Sequence, residues 1–122
     1  MHRCIICIGS NYNRGKNLLL AREKLSECFP SIRFAPEQET KPLHLTNPAL
    51  FSNQVAAFST EKEEVFVRKV LKDIERLSGR RPEDKDEEKV CLDIDLLAYD
   101  NQILKPEDWQ REYIQNNLPI KE

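Results

Sequence analysis

The chain has 122 residues, of which 33% are charged and 39% hydrophobic, with a formal net charge of −2. That length suits one domain, residues 1–122, built around one core. The slight negative balance argues against a basic nucleic-acid-binding face, although a local cluster of Arg and Lys still suits a small anion. No apolar run reaches membrane-spanning length, and the apolar part of MHRCIICIGSN is too short for a signal peptide. A cytoplasmic protein with no membrane or nucleic-acid partner is expected.

Residues 3–8 read as a continuous apolar strand, and Gly9-Ser10-Asn11 as a turn into a helix over 14–28 that ends before Pro30. Leu18, Ala21, Leu25 and Cys28 share one face of that helix. GSNYNRGK, residues 9–16, is close to a Walker A loop, but five residues separate its glycines where four are required. Asn17 also stands where Ser or Thr is needed, so the stretch reads as a structural turn. A second strand falls near 32–35. Residues 39–49, with Pro42, Asn47 and Pro48, read as an irregular connection, followed by a strand over 53–60.

Thr60 reads as a helix cap. Through residues 61–78, Phe66, Val67, Val70, Leu71, Ile74 and Leu77 recur at helical spacing, and Gly79 suits the position just past the helix. Residues 80–89, RRPEDKDEEK, hold no apolar side chain and are expected to be exposed. A strand over 91–99 and a C-terminal helix over about 106–117 complete the chain. The order βαββαβ predicts an α+β, ferredoxin-like fold, with an antiparallel sheet, helices on one face and a loop-lined cleft on the other.

Cys4 and Cys7 form one C-x-x-C, but positions three apart on a strand point to opposite faces and cannot close on a zinc ion. The four cysteines read as reduced, buried thiols. His2 and His44 are too few and too far apart for a catalytic or metal cluster, and read as surface residues.

In CLDIDLLAYD, residues 91–100, period-two alternation puts Cys91, Asp93, Asp95 and Leu97 on one face. Leu92, Ile94, Leu96 and Ala98 then form an unbroken apolar face toward the core. Two adjacent carboxylates repel unless a cation lies between them, so a divalent metal site is one reading. A wet outer face with solvated aspartates is the other.

IGSN at 8–11, ETKPL at 39–43, FSNQV at 51–55, Glu75 with Gly79-Arg80, and LDIDLLAYDNQIL at 92–104 occur together in this order. From about residue 3 to residue 104, the set resembles the 6-hydroxymethyl-7,8-dihydropterin pyrophosphokinase family of folate biosynthesis. The resemblance implies transfer of pyrophosphate from ATP to the pterin hydroxymethyl group with release of AMP. ATP as co-substrate, a dihydropterin and two Mg²⁺ ions are the implied partners, and a monomer or weak dimer is expected. Asp93 and Asp95 match the metal pair. Thr40, Pro42, Leu43, Phe51 and Asn53 match the pterin pocket, while Glu75, Arg80 and Lys89 fall on the nucleotide side.

The departures from the family pattern bear on activity. Where the family places a loop Arg and a Trp, this chain has Val90 and Glu87, and EDKDEEK is acidic where relatives are basic and aromatic. The V-P-H segment is absent, and Arg111-Glu112-Tyr113 stands as a shifted form of the family's R-x-F. Arg111 would then reach phosphate beside Arg80, the two as catalytic cations, and Tyr113 would close on the pterin. The same segment also reads as an amphipathic helix packing Trp109, Tyr113 and Ile114 on the core. Two functional expectations follow: a divergent pyrophosphokinase, or a catalytically impaired paralogue that binds pterin or Mg-nucleotide or serves as an interaction module.

Overall fold

A computed structural model of the chain describes residues 1–41, 50–87 and 89–118. Strand β1 (His2–Ser10) leads into helix α1 (Arg14–Cys28), then come the short strands β2 (Arg33–Phe34) and β3 (Gln38–Thr40) and the long β4 (Phe51–Thr60). Helix α2 (Glu64–Leu77), a 3-10 turn (Pro82–Glu87), β5 (Asp93–Tyr99), β6 (Gln102–Ile103) and the one-turn helices α3 (Pro106–Trp109) and α4 (Glu112–Gln115) follow. The sheet order is β2-β4-β1-β5-β6, with β3 also on β4, and every pairing is antiparallel. This is the expected α+β, ferredoxin-like arrangement.

Alternation along β1 explains the two-sided core. Cys4, Ile6 and Ile8 pack with Leu18, Ala21 and Leu25 of α1 and with Val67, Leu71 and Ile74 of α2. Cys7 faces the other way, among Val55, Leu97 and Ile114. The two cysteines of the C-x-x-C therefore belong to separate clusters, as strand geometry requires. Cys28 is a correction: it is exposed, because α1 turns its inner stripe away after Leu25.

Several local expectations are revised. Residues 38–40 form β3 on the edge of β4, not an irregular connection, while Pro42, Leu43, His44 and the rest of 42–49 lie outside the described residues. Helix α2 starts at Glu64 after Glu63, and the Thr60 hydroxyl instead accepts the Lys62 N–H one turn earlier. Phe66 and Leu77 are exposed, since the buried stripe of α2 is Val67, Leu71, Ile74 and Glu75. The charged segment is not wholly exposed either. Asp84 is buried in the 3-10 turn, where its carboxylate accepts the Arg81 N–H and pairs with Arg81 and Lys89.

At the end of β5 the register shifts. Ile5 pairs with Ala98 and Ile6 with Leu96, so Leu97 is an extra residue, a β-bulge. The bulge puts Leu97 and Ala98 on the same side and returns Tyr99 to the helix-covered core. Ala98 thus leaves the apolar face that strict alternation assigns it. Asp100, with φ 52, then turns the chain into β6 and accepts the Arg3 N–H, which ties the hairpin to β1. The C-terminal segment breaks into α3 and α4 at Gln110-Arg111, and Ile114, Trp109 and Tyr113 cover the second face of the sheet.

Candidate active site

The face that α1 and α2 leave open carries a cleft of about 330 Å³. Its floor comes from three neighbouring strands in register: Gly9 of β1 pairs with Asn53 of β4 on one side and Asp93 of β5 on the other. A Cβ at Gly9 would sit 3.3 Å from the Asn53 Oδ1, so glycine keeps the floor open between amide and carboxylate. Asp95 and Leu97 continue the β5 side, and Thr40 and Phe51 close the β4 edge. Asp108, Arg111 and Tyr113 of the C-terminal segment form the far wall.

Thr40, Phe51, Asn53, Asp93, Asp95, Arg111 and Tyr113 therefore share one cavity. Asn53 is buried, and its Nδ2 donates to the Thr40 Oγ1 at 2.5 Å, which fixes the amide and aims its other edge into the cleft. Tyr113 and Ile114 pack as the amphipathic reading expects, yet Tyr113 and Arg111 also line the cavity, so the two readings of that segment are compatible. Glu75 and Arg80 lie beside the cleft. Lys89 does not line it: its ammonium lies 4.1 Å from the centre of the Tyr12 ring and 4.0 Å from Asp84.

The two aspartates are held differently. Arg80 reaches Asp93 at 3.1 Å, Glu75 at 3.3 Å and the Leu92 carbonyl at 3.2 Å. Glu75 is buried and accepts the Ile94 N–H at 2.7 Å, so helix α2 and strand β5 are joined through one carboxylate. Burial works against the Arg80 charge, but Glu75 and Asp93 outweigh it and hold the guanidinium above its usual value. Burial likewise pushes the Glu75 carboxyl above the ordinary range. Asp95 meets Lys105 at 3.5 Å.

Burial, and then the Asp93 charge, raise Asp95 from 3.8 to about 6. A raised carboxyl makes the folded state bind more protons than the unfolded chain between these values. Its contribution to stability is full below about pH 3.8 and is lost as the pH rises through about 6. Asp95→Asn is expected to flatten this part of the stability curve. Melting temperatures of wild type and variant between about pH 4 and pH 7 check it, and parallel curves would refute it.

Among the described residues no group of three or more His, Cys, Asp and Glu side chains is placed to hold a metal. Two carboxylates on one strand face, open to a cleft, nevertheless fit Mg²⁺, which keeps several waters and takes phosphate oxygens as its remaining ligands. The hard oxygen donors of Asp93 and Asp95 suit it, and the thiol of Cys7 below them does not compete. Burial, followed by Asp95 and Asp93, holds that thiol up to about 12 and therefore protonated.

Sequence reasoning missed Gly9, Lys41 and Asp108 in the lining of this site, and Lys105 beside Asp95. Gly9 had a signal in the IGSN turn, but its role depends on which strands flank β1. Lys105 and Asp108 arrive only through the β5–β6 hairpin, whose turn at Asp100-Asn101 is the type of pair that marks a tight reversal.

Asn11 and Val90 clamp the rim near the strand-to-helix turn. The Asn11 N–H donates to the Val90 carbonyl at 2.9 Å and the Asn11 side chain accepts the Val90 N–H at 2.6 Å. The turn is further pinned by Asn17, whose side chain donates to the Tyr12 carbonyl, and by Asn13 in the left-handed region at φ 46. GSNYNRGK is therefore a structural turn here.

The family model for 7,8-dihydro-6-hydroxymethylpterin-pyrophosphokinase matches residues 5–120. The chain belongs to this family. No curated protein matches it closely enough to count as a relative. Members of the pyrophosphokinase family transfer a pyrophosphoryl group in folate biosynthesis, with ATP, a pterin and Mg²⁺ as the reacting set. The match runs through the C-terminal segment and so includes α3 and α4 with Arg111 and Tyr113. Among the described residues no helix is long and apolar enough to cross a membrane.

Proposed function

We propose that this chain transfers the β,γ-diphosphate of ATP to the hydroxymethyl oxygen of 6-hydroxymethyl-7,8-dihydropterin, releasing AMP. The observation that supports it best is the junction at Gly9, which sets the Asn53 amide and the Asp93 carboxylate on either side of one open floor. A planar heterocycle hydrogen-bonded by Asn53 and flanked by Phe51 and Tyr113 would present its substituent toward the two aspartates. Pro42 and Leu43, outside the described residues, are assigned to the same pocket by position.

Asp93 and Asp95 would hold two Mg²⁺ ions, which when bound neutralise the triphosphate and draw charge from the β-phosphorus. Arg80, paired with Glu75, and Arg111, on the far wall, would meet negative charge on the transferred group. Lys89 is assigned to the nucleotide side, above the Tyr12 ring at the rim. The hydroxyl oxygen attacks the β-phosphorus and gives up its proton to water, the bond to the α,β-bridging oxygen breaks, and AMP carries that oxygen away. We take residues 1–122 to act as one cytoplasmic domain, a monomer or weak dimer that binds neither membrane nor nucleic acid.

One observation favours the second reading, a binding or interaction module of impaired activity. Val90 occupies the place of the family's loop arginine, and its backbone is tied to Asn11, so the position supplies no charge to the cleft. Separation of the nucleotide products after incubation with Mg-ATP distinguishes the two. AMP, not ADP, formed only when the pterin is present is the expected result. Pterin binding without AMP would leave the module reading instead.

A further inference from the structure

The cleft is a nearly balanced charge cluster. Asp93, Asp95 and Asp108 line it with Lys41 and Arg111, and Glu75, Arg80 and Lys105 stand beside it, with Arg111 on Asp108 at 3.2 Å. The cations are not equally tied. Arg80 has Glu75 and the Leu92 carbonyl as well as Asp93, so it stays anchored when Asp93 is taken by another cation. Lys105 has Asp95 as its one side-chain partner among the described residues, and its side chain is 42% exposed.

Lys105 also stands between β6 and α3, where its backbone carbonyl accepts the Trp109 N–H and Pro106 starts the helix. The backbone is hydrogen-bonded into the start of the helix, while the partly exposed side chain ends on Asp95. A lysine ammonium is a point charge on a flexible stem, in contrast to the planar guanidinium of Arg80 with its three acceptors.

We infer that Lys105 is an exchangeable counter-ion. It neutralises Asp95 before the metal-nucleotide binds and then moves to the nucleotide's phosphates when Asp95 turns to metal. In this way Lys105 keeps two adjacent carboxylates compatible with folding and returns one positive charge to the phosphates, in a chain whose Val90 offers none. The inference rests on the proposed pyrophosphokinase reading for the identity of the nucleotide, but the exchange itself concerns only Asp95, a divalent cation and phosphate.

The exchange makes Lys105 a competitor of bare metal and a helper of metal-nucleotide, so its removal shifts the two affinities in opposite directions. The probes are Mn²⁺ alone, followed by paramagnetic resonance, and α,β-methylene-ATP with Mg²⁺, followed by calorimetry, since that analogue resists cleavage at the reacting bond. Lys105→Met in the full chain is expected to bind Mn²⁺ roughly threefold to tenfold tighter and the analogue weaker by a similar factor, the scale of one partly exposed ion pair. Lys105→Arg is expected to restore most of the nucleotide affinity.

Mn²⁺ affinity that is unchanged or weaker in Lys105→Met, or nucleotide affinity that is retained, would overturn the inference. A lowered melting temperature with both affinities reduced would mark a merely structural role and overturn it too. Failure of the pyrophosphokinase reading has a separate signature, the absence of pterin-dependent AMP from the wild type, and both titrations remain informative in that case.

Discussion

Asp95→Ala is expected to lower pterin-dependent AMP release by roughly a thousandfold or more while leaving the protein folded. The direction of each effect comes from the same geometry. Asp95 lies beside Asp93 on one strand face, partly buried, with a lysine at 3.5 Å as its neutralising partner. Without metal the carboxylate is a cost to the fold, since desolvation and the neighbouring charge both disfavour ionisation. Truncation relieves that cost, so the melting temperature is expected to hold or rise. Sites that hold strained charge for catalysis commonly trade stability in this way. Steady-state AMP release and a melting curve on the same preparation test the pair of outcomes; a rate within tenfold of wild type would remove Asp95 from the reaction.

Glu75→Ala is expected to be the most destabilising single change near the site, at about 2–4 kcal/mol. The side chain is 7% exposed and accepts the Ile94 N–H, so truncation leaves a buried donor unmatched. It also removes an acceptor of Arg80, which then rests on Asp93 and the Leu92 carbonyl. Glu75→Gln retains an oxygen for Ile94 but not the charge for Arg80, and is expected to recover more than half of the lost stability. Activity in Glu75→Gln is still expected to fall, because Arg80 would be drawn toward Asp93 and compete there with metal. Urea midpoints of the three proteins decide the matter, and a loss below about 0.5 kcal/mol in Glu75→Ala would show that the contact does not join helix to strand.

These expectations depend on features of unequal visibility in the sequence. The aspartate pair, the two main helices and the order of the elements follow from period-two and helical spacing, because a chain that buries one face of a sheet must repeat its apolar residues at that spacing. Helix 14–28 was legible to its ends, with Pro30 beyond it. Ala98 was not, because a single bulge at Leu97 changes which face every later residue takes. The same bulge and the Asp100 turn direct β6, α3 and α4 back over the second face, and so decide where Lys105, Asp108 and Arg111 arrive.

Asp84 shows the other kind of limit. The composition of residues 80–89 indicates water on all sides, yet a charged side chain is buried when local backbone donors and two cations surround it. Asn53 and Thr40 stand between these cases. Their family resemblance named them, but the hydrogen bond that fixes the Asn53 amide required the edge strand β3, which no apolar pattern marks.

The cleft, although it lacks the family's loop arginine, is expected to transfer an intact diphosphate to the pterin. The most direct measurement follows ATP labelled at the β-phosphorus, incubated with Mg²⁺, 6-hydroxymethyl-7,8-dihydropterin and the full chain, with separation of the labelled products. Label recovered on the pterin in step with unlabelled AMP is the expected result. Label that stays in ATP, or appears in ADP at a rate indifferent to the pterin, would contradict it.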